Sequence, residues 1–469
     1  MNVLLISTYE LGHQPFGLAS PLAWLTEAGA DVHCLDLAVE ELNESSICAA
    51  DLIAIYLPMH TATRLASRLV PRIRAFNPSA HLCFYGLYAP LNEEYLRMEL
   101  GAATVLGGEF ESGLFSLYKR LSANGTADIE RQTEPVVCLS KQDFRVPQRG
   151  GLPDLSRYAY VKMGHERRRT VGYTEASRGC KHQCRHCPVV PVYDGKFRIV
   201  SRDVVMEDIR QQIQGGAEHI TFGDPDFFNG VGHAIRIIED LHEQYPALTY
   251  DVTIKVEHLL KFAHHFQTLA RTGCLFITTA VEAVDDGVLR ILDKGHTRDD
   301  FVQLVGLARS MNLTLSPTFI PFLPWTTREG YLDLLQLLVK LGLVDYVASV
   351  QLSIRLLVPK GSRLLTVPVM QQHLGSFNAA ALCYQWTHPD PSMDRLHDRV
   401  SQVVETGEVE SKSRRETFKE VWHLAHEACG RNAPDLNQSG TLGAPINVPC
   451  KSEPWYCCAE PTASQIADF

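Results

Sequence analysis

The sequence predicts an α/β protein: an open, doubly wound parallel sheet, then a partial (β/α)6 barrel, then a helical C-terminal extension. Short apolar runs alternate with helical segments over residues 1–125, and the same alternation returns over residues 171–370. Apolar runs of this kind are typical of strands that are buried on both faces of a parallel sheet. We therefore predict a first domain at 1–125, a linker at 126–170, a barrel at 171–370 and an extension at 371–469.

Length and composition limit the class of protein. The chain has 469 residues, of which 45% are hydrophobic, and its net charge is −10. That charge argues against partners that need a basic surface, namely nucleic acids and anionic membranes. No apolar stretch reaches the ~18 residues of a membrane span, and the start MNVLLISTYE is typical of a strand rather than an export signal. We expect a cytoplasmic protein whose 13 cysteines serve metal or redox chemistry.

The first domain is predicted to contain five βα units. Helices are expected at Pro21–Glu27, Thr61–Phe76 and Leu91–Leu100. A ligand of such a sheet lies at the carboxyl ends of the strands. The predicted strands are Val3–Ile6, Val32–Leu35, Leu52–Tyr56, Leu82–Tyr85 and Ala103–Leu106.

A glycine-rich turn, Gly107-Gly108-Glu109-Phe110-Glu111, follows the last of these strands. Its acidic residues suit the amino end of the helix that follows, because the helix dipole is positive there. No Gly-x-Gly-x-x-Gly follows the first strand. A dinucleotide-binding function is therefore weakly supported.

The second series of alternating segments gives six βα units, fewer than the eight of a closed barrel. The predicted strands are Thr170–Ala176, His219–Phe222, Thr249–Lys255, Leu275–Ala280, Leu313–Phe319 and Tyr346–Leu352. The predicted helices are Asp203–Gln214, Gly232–Tyr245, Leu259–Arg271, Asp299–Met311 and Thr327–Leu341.

The cysteine motif Cys180-Lys-His-Gln-Cys184-Arg-His-Cys187 follows the first barrel strand. Thiolates at this spacing can converge on one metal centre. In a [4Fe–4S] cluster, three thiolates leave one iron free for an outside ligand. A structural zinc ion would need a fourth ligand, which His182 or His186 could supply.

The segment Gly179-Cys180-x-x-x-Cys184-x-x-Cys187-Pro188, placed after the first strand of an open barrel, resembles the cluster motif of the radical S-adenosylmethionine (SAM) superfamily. The resemblance implies a [4Fe–4S] cluster on the three cysteines, SAM at the open iron, and a reducing partner such as flavodoxin or ferredoxin. His186 stands where the family usually has an aromatic residue that contacts the adenine of SAM, and we expect the same contact from it.

Other segments resemble cobalamin-associated members of the superfamily. Val281-Glu282-Ala283 and Lys294-Gly295-His296-Thr297 match their loops, and residues 1–125 are similar to their cobalamin-binding domain, including the Gly108-Glu109-Phe110-Glu111 turn. The chain lacks the motif Asp-x-His-x-x-Gly, which supplies a histidine ligand to cobalt. Cobalamin would therefore bind without a histidine lower ligand from that motif, or the domain has kept only the fold.

Polar residues at the strand ends are candidates for binding SAM, because barrel active sites lie there. We expect Asp224 and Asp226 to contact the cofactor and Glu282 to accept hydrogen bonds from its amino group. Lys255 or Arg355 could pair with its carboxylate. For the two aspartates, a role as loop caps is the simpler alternative.

The C-terminal extension starts with an amphipathic helix at Lys412–Cys429 and ends in a cysteine-rich tail that contains Cys450 and Cys457-Cys458-Ala459-Glu460-Pro461. This tail resembles a radical SAM group that is named for its Cys-Cys-Ala-Glu-Pro ending and is connected with arsinothricin biosynthesis, a natural-product pathway. Adjacent thiols are soft ligands. Cys450, Cys457 and Cys458 are therefore predicted catalytic residues that hold trivalent arsenic. An inert tail or a vicinal disulfide is the alternative.

Three functions remain open from the sequence, and the first two are those of an enzyme with a small-molecule substrate. One is transfer of a 3-amino-3-carboxypropyl group from SAM to arsenic held by the tail thiols, which the missing histidine motif favours. Another is cobalamin-dependent methyl transfer to carbon or phosphorus. The third, a thiol-based arsenic or metal sensor, leaves the cluster motif unexplained.

Overall fold

A computed structural model describes residues 1–123, 133–164, 167–436, 442–444 and 446–453, together with residues 460 and 466. Its architecture is the predicted α/β class, with two separate parallel sheets. Within the described residues, every helix is too short or too polar to cross a membrane.

The N-terminal sheet contains six parallel strands in the described residues. Numbered along the chain, they lie side by side in the order 2-1-3-4-5-6. The five predicted strands are confirmed, and a short sixth strand comes from the segment expected to be a linker. The third strand is buried along its whole length, which explains its unbroken apolar sequence. The strands are Asn2–Ser7, Asp31–Asp36, Leu52–Tyr56, His81–Tyr85, Thr104–Gly108 and Val137–Cys138. The helices are Phe16–Glu27, Glu44–Ala49, His60–Phe76, Glu93–Met98 and Phe110–Ser122.

The barrel contains five parallel strands rather than six. The predicted sixth strand, Tyr346–Leu352, is wrong: its second half is a 3-10 helix, Ser349–Leu352. Gln351 from that helix accepts a hydrogen bond from the Phe319 backbone N–H through its side chain, at 2.9 Å, where a strand would have offered a carbonyl. Where a sixth strand would pair with the chain after the fifth, there is only an isolated parallel bridge between Phe322 and Arg355 in the described residues. The five strands are Arg168–Thr174, His219–Phe222, Thr249–Thr253, Cys274–Glu282 and Leu315–Phe319.

The helices around the barrel largely follow the prediction. The exception is the predicted helix Leu259–Arg271, which is divided into two short helices by a 3-10 turn at Ala263–His265. The barrel helices are Val189–Tyr193, Arg202–Gln214, Val231–Gln244, Val256–Lys261, Phe266–Arg271, Asp286–Leu292, Arg298–Ser310, Arg328–Lys340 and Pro368–Gln371.

The open side of the barrel is extended by chain from two distant regions. Tyr160–Lys162 pairs antiparallel with the first barrel strand, and Cys450–Lys451 pairs antiparallel with Tyr160–Lys162. The barrel sheet therefore has seven strands, and its last strand comes from the C-terminal tail. Strands of two or three residues carry no periodic signal, which is why the sequence did not predict them.

The C-terminal extension packs two long helices, Pro391–Val409 and Arg414–Ala428, against the barrel. The second confirms the predicted amphipathic helix, which buries Phe418, Val421, Trp422 and Ala425. Two antiparallel hairpins complete the described fold. They pair Ser177–Gly179 with Phe197–Ile199 and Leu374–Asn378 with Cys383–Trp386.

The two sheets are joined by a buried ion cluster around Arg178. Its guanidinium lies 2.6 Å from Glu111 and 3.6 Å from Glu109, both in the glycine-rich turn of the N-terminal domain. It also lies 2.5 Å from Glu175 at the end of the first barrel strand. Burial acts to lower the pKa of Arg178, but Glu111 and Glu175 outweigh it and raise that pKa well above its usual value. The turn noted in the sequence is therefore an attachment point between domains.

Replacing Arg178 by methionine is expected to destabilise the protein by about 3–5 kcal/mol, because it leaves buried carboxylates without their partner. The measurement is the urea midpoint of the reconstituted protein. Arg399→Met is the matched control, since Arg399 pairs with Glu427 on the surface, where the two side chains are 48% and 63% exposed, and it should leave the midpoint nearly unchanged. Equal shifts in the two variants would contradict the role given to Arg178.

Candidate active site between the two sheets

A cavity of about 510 Å³ lies where the carboxyl ends of both sets of parallel strands meet. Ligands of open α/β sheets and of barrels bind at these ends, since the loops there can vary without disturbing the sheet. The N-terminal domain contributes Glu10, Leu11, His13, Tyr56, Pro58, Met59, Leu87, Tyr88 and Phe110 to the wall. The barrel contributes Tyr173, Glu175, Asp224, Asp251, Lys255, Glu282 and Lys294.

Cys180, Cys184 and Cys187 all line this cavity. They lie on the loop between the strand Ser177–Gly179 and the helix Val189–Tyr193. Burial, and after it the thiol of Cys184, raises the pKa of Cys187 to about 12. Three thiols on one wall of an open cavity fit a [4Fe–4S] cluster with one iron facing the cavity.

The glycine before the first cysteine has a structural reason. Gly179 has a φ of +73°, and a Cβ at this position would lie 2.5 Å from the carbonyl oxygen of Lys196. Any other residue would therefore clash with the paired strand of the hairpin and strain the backbone. The position of Cys180 depends on this turn.

The two histidines of the cysteine loop bind carboxylates from other loops. His186 lies 3.2 Å from Glu282 at the end of the fourth barrel strand, and Lys294 lies 3.3 Å from the same oxygen. Burial acts to raise the pKa of Glu282, but Lys294 and His186 outweigh it and hold that pKa at about 2. Glu282 is therefore an ionised carboxylate in the cavity wall. Its backbone φ of +69°, unusual for glutamate, turns it out of the strand.

His182 contacts a buried group behind the cysteine loop. Its Nε2 lies 3.1 Å from Asp226, and the Nδ1 of His258 lies 2.6 Å from the same oxygen. Asp226 also accepts a hydrogen bond from the backbone N–H of Phe228 and is completely buried. Asp226 is absent from the described cavity lining, and its contact with His182 ties it to the cysteine loop.

Asp224 and Lys255, by contrast, do line the cavity. Asp224 accepts hydrogen bonds from the hydroxyl of Ser177 at 2.5 Å and from the backbone N–H of Ala176. Burial raises the pKa of Asp224 to about 7. Lys255 lies 3.6 Å from Glu257.

Arg355, predicted as a possible partner of the SAM carboxylate, is absent from the described cavity lining. Its guanidinium pairs with Asp394 at 2.8 Å, donates to the carbonyl of Trp386 and lies over the Trp386 ring at 3.7 Å. Both partners belong to the C-terminal extension. Arg355 therefore attaches that extension to the barrel.

The tail reaches the cavity in its described part. Cys450 and Lys451 line the cavity from the last strand of the barrel sheet. The Nζ of Lys451 lies 3.4 Å from Asp251 and 3.5 Å from the Nε2 of His13, so it bridges the two domains. Cys457 and Cys458 lie outside the described residues.

Sequence analysis did not single out several polar or aromatic residues of the wall, among them Glu10, His13, Tyr173 and Lys451. Glu10 and His13 follow the first strand of the N-terminal sheet, a position where the general rule for ligands of open sheets would have selected them. Tyr173 lies inside a strand. Lys451 reaches the wall on the short tail strand Cys450–Lys451, which no sequence pattern predicted.

Comparison with known proteins agrees with this geometry. A family model described as the radical SAM superfamily matches residues 174–338. The hopanoid C-3 methylase of Methylococcus capsulatus is 24% identical over 327 residues, which cover 66% of this chain and 62% of the methylase. The chain thus spans less than two thirds of that relative. A tRNA-2-methylthio-N(6)-dimethylallyladenosine synthase of Desulfosudis oleivorans is 22% identical over 323 residues, which cover 66% of this chain and 67% of the synthase.

Two solved structures share the fold over most of the chain. The radical S-adenosylmethionine methyltransferase TsrM from Kitasatospora setae, with tryptophan substrate and a SAM analog bound, has a TM-score of 0.60 and 16% identity, and the match covers 72% of this chain and 71% of TsrM. The cobalamin-dependent S-adenosylmethionine radical enzyme OxsB, with aqua-cobalamin and SAM bound, has a TM-score of 0.68 and 14% identity. The match covers 89% of this chain and 70% of OxsB.

The family uses a [4Fe–4S] cluster and SAM, as the cysteine motif predicted. The family match begins at the end of the first barrel strand and includes all three cysteines on the cavity wall. The cysteine motif and the family model thus agree on the same part of the chain, residues 174–338, which match the radical SAM superfamily.

Proposed function

We propose that this radical SAM enzyme transfers a methyl group from SAM to a small-molecule substrate, with cobalamin as a second cofactor. The observation that carries the proposal is the single cavity onto which the carboxyl ends of both sheets open, with the cluster cysteines in its wall. The methylase and methyltransferase named among the relatives support the choice of a methyl group.

The described residues of the barrel provide places for the cluster and for SAM. Cys180, Cys184 and Cys187 would hold the cluster. The ionised Glu282 would accept hydrogen bonds from the SAM amino group, and Lys255 would pair with its carboxylate. A bound [4Fe–4S] cluster would supply an electron for the cleavage of a carbon–sulfur bond of SAM. The protein positions these groups and excludes water from them.

The N-terminal wall fits a large, flat cofactor. Leu11, Pro58, Met59 and Leu87 make it apolar across the carboxyl ends of several strands. His13 in this wall packs against Tyr173 at 4.8 Å between ring centroids and lies beside Lys451. These contacts support cobalamin bound without a histidine lower ligand, as the missing Asp-x-His-x-x-Gly motif indicated.

Replacing Cys180, Cys184 and Cys187 together by alanine is expected to abolish cluster assembly, because no iron then has a protein thiolate at this site. Iron, acid-labile sulfide and visible absorption after anaerobic reconstitution measure the outcome. Cys83→Ala is the control, since Cys83 is buried in the N-terminal sheet, and it should leave the iron content unchanged. A triple variant that still assembles a full four-iron cluster would contradict the assignment of these three cysteines as its ligands.

The nucleoside product tests which bond of SAM is cleaved. With reconstituted cluster, cobalamin, SAM and a reductant, we expect S-adenosylhomocysteine, because methyl transfer leaves the rest of SAM intact. Chromatography with mass spectrometry identifies the product, and enzyme without reductant is the control. 5′-Methylthioadenosine as the main product would instead show transfer of the 3-amino-3-carboxypropyl group and would overturn methyl transfer.

Transfer of that larger group to trivalent arsenic is a second candidate, and one observation favours it. Cys450 lines the same cavity as the cluster cysteines, so one tail thiol is within the proposed active site. Cys457 and Cys458 would supply further soft ligands for arsenic. A sensor built on these thiols alone would leave the radical SAM domain without a role.

Under this second candidate, Cys450→Ser combined with Cys457→Ser and Cys458→Ser should abolish turnover of arsenite with SAM while cluster assembly is retained. A misplaced reacting atom costs about 100-fold in rate for a displacement of about 1 Å, and a lost ligand costs at least as much. Arsenic speciation is the measurement, and the exposed Cys48→Ser is the control. If the variant turns over arsenite as fast as the unmodified enzyme does, the tail thiols have no role in the reaction.

A further inference from the structure

We propose that the barrel binds a neutral, polyhydroxylated substrate, such as a sugar or a cyclic polyol, on a row of three side-chain hydroxyls. The inference rests on the proposed function, because it names a substrate class for the same cavity. Thr253, Thr278 and Ser316 form this hydroxyl row. They lie on the third, fourth and fifth barrel strands, and all three line the cavity.

The hydroxyl row is fixed by the pairing of the barrel strands. Thr253 is the register partner of Thr278, and Thr278 is the register partner of Ser316. Neighbouring strands are about 4.8 Å apart, so the three residues stand side by side over about 10 Å. Successive residues of a strand face opposite sides of the sheet. On the fourth strand, Ile277 and Thr279 are completely buried, whereas Thr278 between them is half-buried and faces the cavity.

The hydroxyl row stands where a barrel normally has a packed core. The interior of a (β/α) barrel is usually filled by bulky side chains such as valine, isoleucine and leucine. Here three successive strands carry a small hydroxyl residue at the same level, and each of these residues is half-buried. Within the described part of the chain, none of the three hydroxyls has a hydrogen-bond partner. Open space beside three available hydroxyls indicates a place for a ligand.

The charges on either side of the hydroxyl row are already paired, which favours a neutral ligand. Asp251 stands two positions before Thr253 and lies 3.4 Å from the Nζ of Lys451. Lys255 stands two positions after Thr253 and lies 3.6 Å from Glu257. A charged ligand on the row would find its counter-ion in neither of these pairs without breaking it.

Hydroxyl groups on the ligand match the hydroxyl row. A side-chain hydroxyl both donates and accepts, so it bonds to another hydroxyl in either direction. The ring of a sugar or cyclic polyol carries hydroxyls on alternate carbons, and its C–H groups give it apolar faces. Phe276 lines the cavity two residues before Thr278 on the same strand, and its ring suits such a face. An apolar substrate would instead leave the hydroxyls without partners once it displaced their water.

The hydroxyl row lies deeper in the barrel than the groups proposed to bind SAM. Lys255 follows Thr253 by two residues and Glu282 follows Thr278 by four, in both cases towards the carboxyl end of the strand. With a rise of about 3.3 Å per residue, the row is roughly 7–13 Å below these two side chains. The row and the SAM groups are therefore separate parts of one cavity.

The test uses the full-length protein with its cluster reconstituted, without reductant so that no turnover occurs. myo-Inositol and cyclohexanol are the probes, because both have a six-carbon ring, with a hydroxyl on every carbon in the first and on one carbon in the second. Isothermal titration should show that myo-inositol binds at least about tenfold more tightly, as expected from several added hydrogen bonds. The preference should persist when S-adenosylhomocysteine saturates the SAM site.

Thr253→Val, Thr278→Val and Ser316→Ala combined should abolish the preference for myo-inositol, because the hydroxyls are lost with little change in side-chain volume. Thr279→Val is the matched control. Thr279 is the next residue of the same strand and its hydroxyl also has no partner in the described residues, but it is absent from the described cavity lining. This control should keep the preference.

Equal binding of the two probes to the unmodified protein, tighter binding of cyclohexanol, or no binding of either would overturn the proposal. These outcomes need no variant, so they hold even where the triple variant fails to fold. A preference that survives in the triple variant, or that Thr279→Val removes equally, would overturn it as well. Loss of the preference with S-adenosylhomocysteine bound would assign the hydroxyl row to the ribose of SAM, and thus also overturn the substrate class.

This binding assay and the nucleoside assay fail independently. S-adenosylhomocysteine formed by a protein with no preference for myo-inositol would overturn the substrate class alone. A preference for myo-inositol in a protein that forms only 5′-methylthioadenosine would overturn methyl transfer alone.

Discussion

The buried contact of Arg178 with the carboxylates of two domains is the constraint on which the active site depends. Arg178 lies two residues before Cys180, and its partners Glu109 and Glu111 belong to the turn after the fifth strand of the N-terminal sheet. The contact therefore joins the segment before the cysteine loop to the N-terminal domain. A buried ion pair is not a strong source of net stability, but removing one of its partners is costly because it leaves uncompensated buried charges.

Around this contact, the buried acids of the cavity differ in their pKa. Lys294 and His186 hold the pKa of Glu282 at about 2 beside the cysteine loop, whereas burial raises the pKa of Asp224 to about 7 and that of Glu10 well above its usual value. The difference arises because Glu282 has a buried cation as partner, whereas Asp224 accepts hydrogen bonds from the Ser177 hydroxyl and the Ala176 backbone N–H. The partner of each buried acid, rather than its burial alone, therefore decides its pKa.

The tail has a structural role that is separate from any chemistry of its thiols. The strand Cys450–Lys451 closes the side of the barrel next to its first strand, and Lys451 connects Asp251 of the barrel with His13 of the N-terminal domain. A five-stranded barrel leaves this side open. The same short strand places Cys450 in the cavity wall, so tail and site are assembled together.

The sequence by itself determined the two sheets and the position of the cysteine loop, because apolar runs, helical periods and the spacing of cysteines are local signals. The cavity wall contains Cys180, Cys184, Cys187, His186, Glu282, Asp224 and Lys255, all of which the sequence had selected as site residues. Tertiary structure decided the rest. Asp226 and Arg355 carry the right charge at plausible positions, but His182 and His258 bind the first and the C-terminal extension binds the second. Likewise, Lys451 of the tail lies beside His13, 438 positions away in the chain. Which buried charge finds a partner depends on such distant contacts, and local sequence patterns do not contain them.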